Sequence, residues 1–125
     1  MNITGNISEE KVSDEVIKLD QTYFPTPWTR QQWLDLNLDH HTLFGWRVKG
    51  ELTGIALLGT IPGDDTAHLL KILLLHHSRG TGASLSFWAA IIQELRRKGL
   101  KSVYLEVEAS NLRAQTFYQK VGFKL

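Results

Sequence analysis

An α/β (α+β) fold, a mixed and mostly antiparallel sheet with helices on both faces, is predicted by three features of the sequence. The run Leu69-Leu70-Lys71-Ile72-Leu73-Leu74-Leu75 has strand length and suits a sheet interior. Beyond it, Leu85, Trp88, Ile91, Ile92 and Leu95 recur at helical spacing, forming one apolar stripe. Ser102 to Glu108 then alternates, with Val103, Leu105 and Val107 on one face and Tyr104, Glu106 and Glu108 on the other. A strand–helix–strand unit of this kind implies a parallel pair with a right-handed crossover. Short turns upstream imply antiparallel hairpins, so the sheet is mixed.

Composition narrows the classes. The 125 residues suffice for one core, and the chain reads as a single domain, 1–125. A net charge of +1 gives no polyelectrolyte argument for nucleic acid or a membrane surface. Cysteine is absent, which excludes disulfides, thiolate metal sites and a cysteine nucleophile. Met1-Asn2-Ile3-Thr4-Gly5 lacks a basic region and an apolar signal core, and no run approaches membrane-spanning length. A cytoplasmic protein is the expectation.

Taken in order, Ile3 to Ile7 reads as a short first strand. Ser8-Glu9-Glu10 reads as a helix start, with Val12, Val16, Ile17, Leu19 and Phe24 as its buried stripe. Phe24-Pro25-Thr26-Pro27-Trp28 breaks that helix, because each proline restricts the residue before it. Thr29-Arg30-Gln31-Gln32 has capping-box form and opens a second helix through Trp33, Leu34 and Leu36. Leu43–Val48 and Leu52–Ile61 are two strands joined at Lys49-Gly50-Glu51. Pro62-Gly63-Asp64-Asp65 turns the chain into the apolar strand. Lys98-Gly99 ends the long helix, and Asn111 is an N-cap for a last helix carrying Ala114, Phe117, Tyr118 and Val121.

The chemistry begins at Ser78-Arg79-Gly80-Thr81-Gly82-Ala83-Ser84-Leu85. A Gly-rich turn feeding a helix start aims unpaired backbone N–H groups at one point, with the positive end of the helix dipole behind them. Such a site suits phosphate, and Arg79 adds a charged donor. No Lys-Ser or Lys-Thr pair follows the second glycine, so this is not the nucleoside-triphosphate loop. The third glycine of the dinucleotide pattern is missing as well. His40-His41 and His76-His77 are adjacent pairs rather than i, i+4 pairs, which argues against a metal.

What remains, Arg-x-x-Gly-x-Ser from Arg79 to Ser84, resembles the pyrophosphate loop of the GNAT family of N-acetyltransferases. The last third strengthens the likeness: Tyr104-Leu105-Glu106-Val107-Glu108-Ala109-Ser110-Asn111, then Ala114, Phe117-Tyr118 and Gly122-Phe123, is similar to a motif run of that family. Phe24-Pro25-Thr26-Pro27-Trp28-Thr29 resembles the Phe-Pro-Trp-Ser of its ribosomal-protein-alanine N-acetyltransferase (RimI-type) branch. The resemblance implies the acyl-CoA N-acyltransferase fold and acetyl-CoA as co-substrate. It implies that Ile72, Leu73 and Leu74 pair with the pantetheine arm through their main chain. Arg79, Gly80, Thr81, Gly82, Ala83, Ser84 and Leu85 would hold the pyrophosphate, and Asn111 would touch the cofactor arm. Glu106 would be the general base and Tyr118 the general acid.

The reaction explains why such groups are needed. An ammonium has no lone pair, so a carboxylate or histidine must take its proton before the amine attacks a thioester. The departing thiolate gains from a phenol, and the oxyanion from fixed N–H groups. Alternation alone makes both Glu106 and Glu108 solvated strand residues; the resemblance favours Glu106, with Glu108 as its substitute. Trp28, Trp33, Trp46 and Trp88 read as core, with Trp28 and Trp33 also able to edge an acceptor cleft. Arg96, Arg97, Lys98 and Lys101 read as a solvated face. The acceptor is expected to be a protein N-terminal α-amine, with a small-molecule amine or a CoA-binding module without turnover as alternatives. The sequence stops two residues after Phe123, where relatives continue into a hairpin, so the fold is read as C-terminally truncated. A homodimer through the Ser102–Glu108 edge is the consequence expected.

Overall fold

The computed structural model describes residues 5–75 and 82–124. Its elements run β1 (Asn6–Glu9), α1 (Asp14–Tyr23), α2 (Arg30–Leu34), β2 (His41–Val48), β3 (Glu51–Thr60), β4 (Thr66–Leu74), α3 (Ala83–Arg97), β5 (Ser102–Tyr104) and α4 (Leu112–Lys120). The strands form one sheet in the order β1-β2-β3-β4-β5. Pairing is antiparallel from β1 through β4, and β4–β5 is parallel, as the crossover argument requires.

Strand alternation splits the core into two layers. One face carries Ala56, Leu58, Ala67 and Leu69 against Phe87, Trp88, Ile91 and Leu95 of α3. The other carries Leu43, Ile55, Leu57 and Leu73 against Val16, Ile17 and Leu19 of α1 and Trp33 of α2. Trp33, Trp46 and Trp88 are core, while Trp28 is half-buried against Trp33 at 4.9 Å.

The β2–β3 hairpin turns on Lys49 (φ 51°) and Gly50 (φ 81°). Two successive positive-φ residues give the turn whose twist matches the flanking strands. At α3's end, Leu100 N–H bonds Leu95 C=O and Gly99 N–H bonds Arg96 C=O. At α4's end, Phe123 and Gly122 repeat the pattern on Tyr118 and Gln119. Both helices thus finish in the paired-carbonyl stop that a glycine permits.

Apart from shifts of one or two residues at the ends of β2 and β3, four boundaries differ from the sequence reading. Ser8 does not start a helix: Asn6–Glu9 pair with Phe44–Arg47 instead, and tertiary pairing overrides a weak local signal. The helix starts at Asp14, where Ser13 Oγ accepts from Val16 N at 3.2 Å. Of the expected Ile3–Ile7 strand, Ile3 and Thr4 lie outside the described residues. The capping box at Thr29 and Gln32 forms as expected, yet α2 stops at Leu34 rather than Leu36.

The fourth difference matters most. The strand expected over Ser102–Glu108 is regular only over Ser102–Tyr104. Its last parallel pair is His68↔Tyr104, while β4 continues on to Leu74. Register between β3 and β4 shifts at Leu57/Leu58: Leu57 meets Lys71 and Leu58 meets Leu69, so Leu70 is the extra residue. A bulge bends its strand and interrupts the ladder. The parallel β4–β5 pairing ends at His68, just before it, and the two strands separate there.

Candidate active site

The separation of β4 and β5 opens beside the start of α3. Gly82 is the N-cap there, with φ 80° and ψ 2°, and a Cβ added to it would meet nothing within 4 Å. The open space admits a ligand against the backbone, and the positive φ is what excludes other residue types, at about 1–2 kcal/mol for an L side chain. Gly82 C=O accepts the first helical bond, from Ser86 N at 3.0 Å. The amides of Ala83, Ser84 and Leu85 therefore precede any intrahelical acceptor and point out of the helix end. With the dipole of the Ala83–Arg97 helix behind them, they suit an anion. Arg79, Gly80 and Thr81, together with His76 and His77, lie outside the described residues.

On β4, Ile72 packs toward the α3 layer, Leu73 toward α1 and α2, and Leu74 toward α3. Their strand is held on the β3 side by Ala56, Ile55 and Gly54. Asn111 serves as the N-cap of α4, its Oδ1 accepting from Ala114 N at 3.1 Å.

The two expected proton-transfer residues occupy different layers. Val103 and Leu105 pack on the α3 layer, so Tyr104 and Glu106 project to the α1/α2 side. Glu106 is 87% exposed, with its Oε1 4.0 Å from His68 Nε2. Exposure alternates onward to Glu108, which shares that side. Tyr118 packs instead into the α3 layer, edge-on to Phe117 and Phe123 at 5.6 Å. Burial raises its phenol above the ordinary value of 10.0, so it stays protonated at neutral pH, the state a proton donor needs. Glu106 and Tyr118 are thus disposed on opposite sides of the sheet where β4 and β5 part.

Three residues beside this opening escape a reading of the sequence. His68 stacks on Tyr104 with ring centroids 4.4 Å apart and planes 11° off parallel. Lys71, 3% exposed, donates from Nζ to Asp20 Oδ1 at 3.0 Å and to Thr26 C=O at 3.3 Å. The ammonium also lies 4.0 Å from the Phe24 ring centroid and 5.1 Å from that of Trp28. Asp20, fully buried, accepts from Trp33 Nε1 and from Trp28 N–H, each at 2.8 Å, through its second oxygen. Desolvation pulls the Lys71 ammonium below the usual lysine range, and its bond to Asp20 opposes that pull. The available signals are a lysine inside an apolar run and an aspartate beside the Val16–Leu19 stripe. Among the described residues no group of three or more His, Cys, Asp or Glu is placed to hold a metal ion. No helix among them is long and apolar enough to cross a membrane.

Comparison with known proteins agrees with this geometry. An uncharacterized N-acetyltransferase of Mycobacterium tuberculosis is 39% identical over 80 residues, which are 63% of this chain and 50% of that protein. The chain thus spans about half the length of the mycobacterial relatives it matches. The ribosomal protein bS18-alanine N-acetyltransferase of Escherichia coli is 23% identical over 84% of this chain and 70% of its own length. The crystal structure of the E. coli ribosomal-protein-S18-alanine N-acetyltransferase superposes with a TM-score of 0.84 at 23% identity, covering 97% of this chain and 78% of that one. An aminoglycoside N-acetyltransferase in complex with CoA gives 0.79 at 20% identity, over 100% of this chain and 91% of that one. These two superpositions speak for the fold. The acetyltransferase (GNAT) family pattern itself matches residues 12–123, and the chain belongs to that family.

Proposed function

We propose that the protein transfers an acetyl group from acetyl-CoA to a primary amine by direct attack, with a protein N-terminal α-amine as the acceptor. The observation that carries this reading is the parting of β4 and β5 beyond His68↔Tyr104, next to a helix that starts at a positive-φ glycine. That opening fits acetyl-CoA: an anion site of backbone amides lies at one end, and strand backbone along Ile72, Leu73 and Leu74 lies beside it. Arg79, Gly80 and Thr81 join Gly82, Ala83, Ser84 and Leu85 in holding the pyrophosphate, and Asn111 borders the cofactor arm.

The chain's own residues then divide the proton work. Glu106, on the α1/α2 side, takes the proton that leaves the acceptor's ammonium. Tyr118, kept protonated by burial on the other side, gives its proton to the departing thiolate. Fixed N–H groups of the bent β4 strand stabilise the oxyanion between these events. The α-amine acceptor is supported by the likeness to the alanine N-acetyltransferases, and the cytoplasm is the setting such an acceptor implies. A homodimer through Ser102–Glu108 belongs to the same reading. It is supported by the position of β5 at the end of the sheet and by an adjoining groove of about 280 Å³ lined by Trp88, Leu95, Val103, Val121 and Phe123; sedimentation velocity of the 125-residue chain tests it, a monomer refuting it.

Release of free CoA from acetyl-CoA, with a free-N-terminal alanyl peptide against a polyamine, tests the reaction and the acceptor together. Turnover only with the polyamine replaces the α-amine by a small-molecule acceptor. Acetyl-CoA binding without turnover leaves a CoA-binding module. Glu106→Gln and Tyr118→Phe are each expected to lower kcat by about 10²–10⁴-fold while sparing acetyl-CoA affinity. Loss of turnover in Glu108→Gln with Glu106→Gln unharmed moves the base one step along the same side.

A further inference from the structure

We propose that Lys71 and Asp20 are positioning residues for the acceptor: they fasten the Phe24–Trp28 connection as a wall for the peptide chain behind the reacting amine. This rests on the acetyl-transfer reading above and adds the part of the substrate that the amine chemistry does not read.

Lys71 stands on the stretch of β4 that has lost its β5 partner, immediately before the Ile72–Leu74 backbone offered to the cofactor. It lies opposite Leu57 of the α1/α2 layer, so its side chain projects to that side, as Glu106 does. There Nζ donates to Asp20 Oδ1 at 3.0 Å and to Thr26 C=O at 3.3 Å. Asp20 Oδ2 accepts from Trp28 N–H at 2.8 Å. The rings of Phe24 and Trp28 lie against the same ammonium. Both ends and the middle of the connection thus converge on one point of β4.

Backbone pairing does not do this work. Among the described residues, Pro25–Trp28 makes no backbone–backbone bond to a strand, and Pro25 and Pro27 have no N–H to give. The Lys71–Asp20 pair is the polar fastening of the segment, while Pro25, Thr26 and Pro27 themselves are exposed.

Stability does not explain the choice of residues. A buried ion pair gains little over apolar side chains of the same volume, because desolvation offsets the attraction. What the pair adds is direction, since charge-assisted hydrogen bonds hold their partners in a narrow geometry. The two prolines remove further freedom from the exposed strip. A strip fixed before the substrate arrives loses little entropy on binding. An acceptor whose amine reaches Glu106 comes from this side, and its following residues run along Pro25, Thr26 and Pro27.

Steady-state kinetics with acetyl-CoA test this by comparing an alanyl tripeptide with alaninamide, which shares the amine and lacks the chain behind it. The double variant Asp20→Asn/Lys71→Met removes the fastening and both buried charges, yet keeps an acceptor for the tryptophan donors. Pro27→Gly, an exposed change, loosens the same strip without touching a buried charge. Both are expected to raise the peptide KM about tenfold with kcat within about twofold of the parent's, the mark of lost binding rather than lost chemistry. The alaninamide KM should move by less than about twofold, and calorimetry should give the parent's acetyl-CoA affinity. A merely structural role would not separate the two acceptors, so equal KM changes for both overturn the proposal. A fall in kcat at constant KM overturns it too. If the double variant fails to fold, Pro27→Gly decides alone, and an unchanged peptide KM refutes the wall. A parent chain with equal KM for peptide and alaninamide removes the wall and leaves the acetyl-transfer reading intact. A parent that releases CoA with neither overturns the α-amine reading, and the wall with it.

Discussion

Lys71 and His68 stand on one strand and point to one side of the sheet, and the protein treats them in opposite ways. Lys71 is sealed beneath α1 and α2, its charge met by Asp20 and its remaining contacts by a carbonyl and two aromatic rings. His68 is left partly open, beside a carboxylate that faces water. The Leu70 bulge lies between them. Past it, towards Leu74, β4 has lost its β5 partner and Lys71 lies under the helices; before it, His68 still pairs with Tyr104 at the edge of the opening. Asp20 also binds Trp28 N–H and Trp33 Nε1, so the sealed cluster ties the connection between α1 and α2 to β4. One cluster holds a wall in place, and the other is accessible for chemistry.

Removing one partner from each cluster should break this symmetry most visibly. Asp20→Ala leaves a buried ammonium without its counter-charge and the two tryptophan donors without their acceptor, and should cost about 3–5 kcal/mol in chemical denaturation. Glu106→Ala, at an exposed carboxylate, should stay within about 0.5 kcal/mol of the parent. The paired change Asp20→Asn with Lys71→Met should recover much of the loss, since it removes the buried charges and keeps an acceptor for the tryptophans. Equal destabilisation by Asp20→Ala and Glu106→Ala would erase the distinction between the two sites.

A pH titration of stability sharpens the same contrast. The Lys71 ammonium titrates below the ordinary 10.5 in the folded protein, so in the window between its folded and unfolded values the unfolded chain binds more protons. Its contribution to stability therefore improves as pH rises through that window. Tyr118 runs the other way: its raised folded value means a contribution present below 10.0 and lost as pH rises through the folded value. Comparing parent and Lys71→Met between neutral and alkaline pH isolates the lysine. The variant should lack the gain that the parent shows.

How much of this is legible in the sequence depends on whether a feature is local. The capping box at Thr29, the glycine stops at Gly99 and Gly122 and the apolar stripe of α3 each arise from neighbours in the chain, and each forms where the sequence places it. Ser8-Glu9 reads as a helix start because the reason for its extended backbone lies in β2. The early end of β5 falls close to the register shift between β3 and its neighbour β4, and neither is written in the residues of Ser102–Glu108. Family motifs point to Glu106 and Tyr118 but are silent on His68, Lys71 and Asp20, whose meaning appears only when α1, β4 and β5 are brought together. Ser102–Glu108 still alternates in exposure after its pairing has ended, which is why periodicity alone overextends the strand.

Gly82 belongs to the open side, and its substitution should act on binding more than on folding. Its backbone lies at φ 80° with no atom near the Cβ position, so the strain of a side chain there comes from the dihedral alone. Gly82→Val should cost about 1–2 kcal/mol if the turn is kept. Relaxing the turn instead displaces the helix-start amides, and acetyl-CoA affinity should fall by about tenfold, the equivalent of 1.4 kcal/mol. Calorimetry showing unchanged affinity in a folded Gly82→Val protein would remove this helix start from the cofactor site.

The smallest effect tests a charge cluster of intermediate exposure. Arg47 pairs with Glu10 at 2.7 Å and with Glu15 at 2.9 Å, and its side chain is 29% exposed. Its guanidinium Nε adds a second bond to Glu10 at 3.1 Å, and Ser8 Oγ donates to the same carboxylate. The Arg47 hydrogen bond, helped by Ser8 and by charge attraction, outweighs burial and holds the Glu10 carboxyl below its ordinary 4.5. A depressed carboxyl stabilises the fold above its unfolded value and ceases to do so as pH falls through its folded value. Water and salt reach this cluster as they do not reach Asp20, so Glu10→Gln should cost only about 1 kcal/mol, less at high ionic strength. The acid side of the stability curve should flatten in Glu10→Gln below about pH 4.5, while the alkaline behaviour assigned to Lys71 stays as in the parent. A Glu10→Gln loss as large as that of Asp20→Ala would mean that burial does not rank these charges, and that Arg47 rather than Lys71 anchors the helical side of the sheet.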